Sequence, residues 1–584
     1  MPSEFAINAR PYTLPFRQKI QEITVQLRTE RASWTDQWQE NAKFTNPRRP
    51  RFNQNRPNIG GRKNRYIIDG AGTRACRTAV AGMSSGITPS SRPWFLFGHP
   101  NRELREQKEV KAWLYDTAAE CRAILTKTNF YQAMPSFYMD MLTFSNAALL
   151  VEDDKDDVLR FTCLPMGEWA IANDHRMQAK TFMREFQLSV RQTVEKFCTK
   201  KDGEWDFTNV SDSVKYQFVN GQTETWVQIV HVITPNDLYS YEKIGPQGKK
   251  YLSVYYERSI LNERAYGDYG GSAESDQILR VAGYDMFPVL VGRWGLTDGD
   301  CYGSWGPTDV AIGDIRELQF VARIHAEAAV NQIKPPLVGS SRLNKKKGRL
   351  PEHNTVTWLN SPTAADSLRR IYDFPWDTQH AVEWRQDIRN SVNEAFFVDV
   401  FRRFTSTNRQ HMTAKQVAEE QQEKLIELSP LLELLNVDVL DPLIEMLFVK
   451  SYKAKRLPEA PEQLAGQDLE IQYTSILHQA QKLLDAGNYE RFLGLMGSVI
   501  QIAPEALDKI NIDEVVEGYH SIASAPPEIL RSDKEVADIR GRRAEQQRKE
   551  AELQDALEES EVAKNLGGAE VSEGQTALGA IAGG

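Results

Sequence analysis

The chain has 584 residues, 41% of them hydrophobic and 26% charged, enough apolar material for about three or four domain-sized cores. Its net charge of −9 is opposite to the basic face of a protein that grips nucleic acid by its phosphates, though it suits a wall along which a duplex slides without being held. No apolar run approaches the ~18 residues of a membrane span, the N-terminal residues lack the order of a secretion signal, and Cys76, Cys121, Cys163, Cys198 and Cys301 form no CxxC pair; the expectation is a folded protein of the cytoplasm with buried thiols and no disulfide framework.

Residues 14–44 set Ile20, Ile23, Leu27, Trp34 and Trp38 among alternating charges, which predicts a helix with one buried stripe. The stretch from Asn46 to Arg65 is rich in Arg, Asn, Pro and Gly, has little to bury, and reads as a basic loop. Further helices are expected over 68–81, 103–126 and 133–150. From 151 to 294 the pattern changes to alternating runs such as Phe182-Arg184-Phe186-Leu188 and Val227-Ile229-His231-Ile233, with turns near Gly203, Gly221 and Gly245. These predict a β-rich region with one inserted helix, Val190 to Phe197. The segment 266–272 reads as a loop.

After Gly306-Pro307, Thr308 is the expected N-cap of a rod of about 25 residues, roughly 37 Å long. Ala311, Ile315, Leu318, Ala322, Ala326 and Ala329 recur on one face up to the stop at Lys334-Pro335-Pro336. A second rod over 379–397 repeats the pattern with Ala381, Trp384, Ile388, Val392 and Ala395. Between the rods lies an irregular segment carrying Lys345, Lys346, Lys347 and Arg349, with a strand-like run at 355–359. Residues 398–411 look too polar and too poor in helix signals to continue the second rod, and they hold Arg402, Arg403 and Arg409. Thr413 and Gln416 form a capping box for a helix to Leu428, Ser429-Pro430 opens another, and helices continue to Tyr452. Smaller helices follow, then Ser532 and Glu535 cap a charged helix to Leu566; residues 567–584 are expected to be disordered.

Enzyme signals fail on context. Gly82-Met83-Ser84-Ser85-Gly86 matches GxSxG, yet a nucleophile elbow needs a strand before the serine and a helix after it, and here a helical run precedes it; it reads as a helix stop and turn. His325-Ala326-Glu327 lacks the PCxxC that would complete a zinc deaminase site. Gly245 to Lys250 lacks the spacing and hydroxyl of a phosphate loop. Asp298, Asp300 and Asp309 read as turn and cap formers ahead of a cation site. The C-terminal helix balances its basic residues with acidic ones and reads as solvated or subunit-contacting. No catalytic, metal or cofactor site is expected.

Four segments, GMSSGITPSSRPWF (82–95), GRWGLTDGDCYGSWGPTDVAIGDIRELQ (292–319), NQIKPPLVG (331–339) and MTAKQVAEEQQEKLIELSPLLELLNVDVLDPLIEMLF (412–448), resemble the head-to-tail connecting, or portal, proteins of T7-like short-tailed phages, in order and near the family's spacing. The resemblance implies an α+β, mainly helical portal fold assembled as a dodecameric ring. Its parts would be a wing (1–305, helical to 150 and β-rich from 151), a first stem helix (306–332), a clip (333–378) and a second stem helix (379–397). A tunnel loop (398–411), wing and crown helices (412–455), and a crown with the C-terminal helix (456–566) would follow. Ala311, Ile315, Leu318, Ala322, Ile388 and Val392 would be stem packing residues, the small ones letting neighbouring subunits' helices approach. Lys345, Lys346, Lys347 and Arg349 would dock partners, and Arg402, Arg403 and Arg409 would touch double-stranded DNA without reading its sequence. The implied partners are like subunits, major capsid and scaffolding proteins, the terminase packaging ATPase, a tail adaptor and internal core proteins, with no membrane. The implied location is a capsid vertex of the virion, with the host cytoplasm during assembly. A phage scaffold or tail component without a channel, and a packaging enzyme, are the alternatives.

Overall fold

The computed structural model describes residues 14–52, 61, 63–101, 104, 107–154, 156–201, 203–258, 277–333, 337–340, 356–359, 369–370, 378–405, 428–464, 467, 469–474, 494, 513–516, 531, 533–568, 570–572 and 575–576. The chain divides into two units, one of 1–98, 115–459 and 469–504, the other of 99–114, 460–468 and 505–584.

In the first unit, α1 (Leu14–Phe44) forms where the apolar stripe predicts it. Its buried Ile20 and Leu27 pack on Val230, Val232, Val254 and Tyr256, and its buried Trp38 meets Tyr302 edge-on at 5.0 Å. Two sheets receive these contacts. One is the antiparallel five-stranded sheet of β4 (Trp169–Asn173), β5 (Ala179–Ser189), β8 (Trp226–Pro235), β9 (Tyr251–Glu257) and β10 (Gln277–Tyr284), in the order β10-β9-β8-β5-β4. The other has three strands, β2 (Asn146–Asp154), β3 (Val158–Leu164) and β11 (Val289–Arg293), with β2 in the middle. Trp38, Phe144, Leu150, Trp169, Phe182, Ile233, Val291 and Tyr302 form one core that draws on both sheets. Burying such aromatic and aliphatic side chains, at about 1.5–3 kcal/mol each, is the main stabilising term.

Several expectations change. The helix expected over 133–150 is α4 (Phe130–Phe144), and it stops because Ser145 takes the left-handed conformation (φ 59). Residues 146–150 then enter the centre of the three-stranded sheet, since a short apolar run reads equally as buried helix or buried strand. The helix expected over 68–81 is α2 (Ala71–Gly86), which runs through the GxSxG segment without turning. In the β-rich region, α5 (Val190–Phe197) carries a capping box of Ser189 and Gln192. A second inserted helix, α6 (Asp212–Val219), ends at Asn220, so Gly221 (φ 76) follows a helix where a turn between strands was expected. Gly203 (φ 89) does separate a short hairpin, β6 (Thr199–Lys201) and β7 (Glu204–Asp206). Helix α3 (Lys108–Lys127) and strand β1 (Phe95–Gly98) complete the N-terminal part; β1 pairs with β15 (Glu470–Tyr473).

The first rod is α7 (Pro307–Ile333) and the second α8 (Thr378–Ala395). Between them, β12 (Leu337–Ser340) pairs with β13 (Val356–Leu359) in parallel and with β14 (Arg369–Arg370) antiparallel. After α8 comes a separate helix, α9 (Val398–Thr405), where a non-helical segment was expected. The sequence misleads here because valine and phenylalanine are weak helix formers, while burial of Val398, Val400 and Phe401 overrides propensity. A turn of π-helix (Asn436–Leu440) leads into α10 (Asp441–Lys453). In the second unit, α11 (Asp533–Gly568) is a 36-residue helix, and Arg540 pairs with Asp513 at 2.6 Å. Part of the expected disordered tail is paired: β16 (Glu570–Ser572) and β17 (Gln575–Thr576) form a minimal antiparallel ladder, a local contact that composition does not reveal.

Candidate functional site

The residues singled out on the rods fall around α2, α7, α8 and α9. On α7 the spacing of three and four brings Ala311, Ile315, Leu318 and Ala322 to one face, and all four are buried. Leu318 and Val321 form a cluster with Ala71 of α2 and Ile388 of α8, while Ile315 lies against Gly72, whose missing side chain makes room: a Cβ there would stand 2.9 Å from Ile315 Cδ1. Val392 is fully buried on α8. Leu318 lies beside Ile388 and the His325 ring beside Trp384 at 6.4 Å, so the two rods run antiparallel. The part of the stripe from Ala311 to Ala322 is therefore covered within its own chain. Burial also ends early, since Ala326, Ala329 and Trp384 are exposed.

The opposite face of α7 carries exposed apolar residues as well, beside the exposed Glu317. Val310, Gly313, Phe320 and Ile324 follow at spacings of three, seven and four, which puts them together on a helix of 3.6 residues per turn. Val310 is 58%, Phe320 63% and Ile324 39% exposed, and a Cβ on Gly313 would meet nothing within 4 Å. Val382 on α8 and Ile333 at the end of α7 are exposed too.

Polar contacts fix the rods in place. Gln319, buried on α7, accepts from the Ile68 and Asp69 amides (2.7 and 2.9 Å) and donates to the Asp69 carbonyl at 3.0 Å. The Asp69 carboxylate accepts from Arg389 of α8 at 2.6 Å. At the start of α7, Asp309 accepts from Gln37, Asn41 and the Gly306 amide (2.8, 2.6 and 3.2 Å) and from the Ser145 hydroxyl. Thr308, expected as the cap, instead lies inside the helix and donates to the Leu142 carbonyl at 2.7 Å. Asp309 thus serves the helix start, apart from Asp298 and Asp300. Among the described residues no three His, Cys, Asp or Glu side chains are grouped as metal ligands.

Between α8 and α9, Phe397 takes the left-handed conformation (φ 53) and its ring lies 6.5 Å from that of Trp294. This break turns the chain so that Phe401 packs onto Gly82 of α2. Arg402 sits on the exposed side of α9 beyond that contact. Arg403 belongs to the same helix; its side chain, with Arg409 and with Lys345, Lys346, Lys347 and Arg349, lies outside the described residues. Downstream, the fully buried Arg293 of β11 donates to Asp438 in the π-helical turn at 2.8 and 3.0 Å and to Asn173 at 3.2 Å. Burial raises Asp438 above the usual carboxylate range, against the opposing pull of Arg293. Sequence reading missed the Asp69–Arg389 and Arg293–Asp438 pairs. No local motif announces a charge whose partner lies 145 or 320 residues away.

The geometry defines a protein organised around paired helical rods, each with one face buried in its own fold, and α7 with exposed apolar residues on its other side. The chain belongs to the bacteriophage head to tail connecting protein family, whose match covers residues 17–530. It is 33% identical over 567 residues to the portal protein of Salmonella phage epsilon15, covering 97% of this chain and 98% of that protein. It is 34% identical over 556 residues to a probable portal protein of Bordetella phage BPP-1, covering 95% of each. A chain in the virion of a native gene transfer agent particle aligns with 75% of this chain and 91% of its own length at 9% identity and a TM-score of 0.30.

Proposed function

We propose that the chain is a portal subunit of a short-tailed, T7-like phage. Copies associate head-to-tail into a dodecameric ring at one capsid vertex, through which DNA is packaged and ejected. The observation that carries this reading is the second apolar face of α7: Val310, Phe320 and Ile324, with open space at Gly313, form a strip that a like subunit would cover. A contact between two different patches closes into a ring when its rotation allows. The relatives named as portal proteins, matched over nearly their whole length, support the same reading.

On this reading α7 and α8 are the stem and 333–378 is the clip. The clip's Lys345, Lys346, Lys347 and Arg349 face the terminase ATPase during filling and the tail adaptor afterwards. Arg402, Arg403 and Arg409 meet DNA phosphates in the channel, a contact that positions without reading sequence. Major capsid, scaffolding and internal core proteins are its other partners, and it assembles in the host cytoplasm before residing in the virion. Sedimentation at micromolar concentration in assembly-promoting salt tests the reading: a discrete ring-sized species is expected, and a monomer under every condition would refute it.

A further inference from the structure

Although the protein is acidic overall, one cavity of about 1100 Å³ in the first unit collects positive charge. It opens where β5 ends and β8 begins, at the paired residues Ser189 and Trp226, and the end of α1 forms another wall with described residues of the basic loop, Arg51, Phe52, Lys63 and Arg65 among them. Lys43, Lys63, Arg65 and Arg160 line it and are exposed. Among the described residues Lys43, Lys63 and Arg160 have no ion pair. Arg51 and Arg184 share a single carboxylate, Glu168, at 3.0 and 3.2 Å. Lys196 is the seventh cation of the wall, against the three acids Glu152, Glu168 and Glu185. Glu185 is already engaged by Arg28, Arg31 and Arg258.

Lys196 feels its own burial first and this like charge second. The Lys196 ammonium, 5.4 Å from the Tyr255 ring centroid, is held below the usual lysine range by desolvation, against the pull of Glu152, and by the cations Arg280, Arg184 and Arg160. An anion in the cavity would relieve that repulsion. The wall also offers flat apolar surface: Trp226 is 50% and Tyr66 56% exposed, and both line the cavity. The Arg65 guanidinium lies 5.8 Å from the Tyr66 ring centroid, and cations interleaved with exposed aromatic rings are what a phosphate chain carrying aromatic bases requires, since phosphates meet the charges and bases stack on the rings. The volume exceeds the roughly 300–1,000 Å³ of a pocket for one drug-sized molecule.

We propose that this cavity is a nucleotide-binding site, with phosphates against Lys43, Lys63 and Arg160 and bases stacked on Trp226 and Tyr66. It is separate from the residues assigned to the channel, and it stands whether or not the chain forms rings. Neither the basic loop nor the β-rich region has a role in the function assigned to the rods; this site gives both one.

Fluorescence anisotropy of a labelled ten-nucleotide oligo(dT), titrated with the full-length protein at low salt, tests the proposal, with ATP and inorganic tripolyphosphate as competitors. Saturable binding is expected. Trp226→Ala should weaken it at least fivefold, and the Lys63→Gln/Arg160→Gln double variant at least tenfold. The double variant should also lower the salt slope by about 0.7 for each phosphate that it no longer neutralises. All three residues are exposed, so an unchanged melting temperature is the control that the fold persists. Displacement by ATP identifies free nucleotide as a ligand; binding of the oligonucleotide alone identifies a strand. No binding at low salt, variants that bind like the parent, or tripolyphosphate competing as well as ATP would each overturn the site.

Discussion

Phe401 of α9 lies so close over Gly82 of α2 that a Cβ on the glycine would collide with the Phe401 Cβ. The contact fixes α9 against the fold, and with it the exposed side that carries Arg402. Gly82→Ala should cost about 1–3 kcal/mol by overpacking, read as a lower urea midpoint at constant slope. A double-mutant cycle with Phe401→Leu should give an interaction energy different from zero, since touching residues couple. Parental stability in the single variant would show that the contact is not tight.

The Asp69–Arg389 pair should behave as a tie between α8 and the segment that leads into α2. Asp69 is buried and Arg389 about 31% exposed at its side chain, so Arg389→Leu is expected to cost about 2 kcal/mol, below the 3–5 of a fully buried pair. A double-mutant cycle with Asp69→Asn checks it: an interaction energy near zero would remove the tie.

A third prediction concerns pH. Asp140 of α4 is fully buried, and burial pushes its carboxyl up to about 6 in spite of the Arg49 guanidinium that donates to it at 3.0 and 3.1 Å. The folded value lies above the unfolded value of about 3.9, so the folded state holds this proton more tightly. Its contribution is fully present below about pH 4, falls as pH rises through about 6, and is flat above. Denaturation midpoints of the parent should show that decline, and Asp140→Asn should flatten it. An identical pH profile in the variant would refute the assignment.

Periodicity alone makes the rods legible: Ala311, Ile315, Leu318 and Ala322 announce a buried face by their spacing. It says less about what covers that face, because α2 and α8 meet it only in three dimensions. The opposite strip was missed, since Gly313 and Glu317 interrupt it in sequence although the helix brings Val310, Phe320 and Ile324 together. Helix α9 was missed because Val398, Val400 and Phe401 become helical through burial. The cavity's cations were visible as a basic loop, but Arg160, Arg184 and Lys196 join them only through the fold of β3, β5 and α5.

Changing Arg402, Arg403 and Arg409 together to Gln should leave rings intact while DNA packaging or retention falls. Its salt dependence should flatten, because fewer counterions are released per contact. Failed ring assembly, or packaging unchanged at every salt concentration, would show these arginines to be structural. Replacing Lys345, Lys346, Lys347 and Arg349 by Ser should likewise spare the rings and weaken attachment of the packaging ATPase or tail; unchanged packaging and tailing would refute that role.

Electron microscopy of the purified protein tests the central claim most directly. The account expects closed rings with an axial hole, and expects a Phe320→Glu/Ile324→Glu variant to stay folded but remain monomeric, because a charge on the open face of α7 repels the covering subunit. Parent protein that yields only monomers or open chains, or a variant that closes rings as readily as the parent, would contradict it.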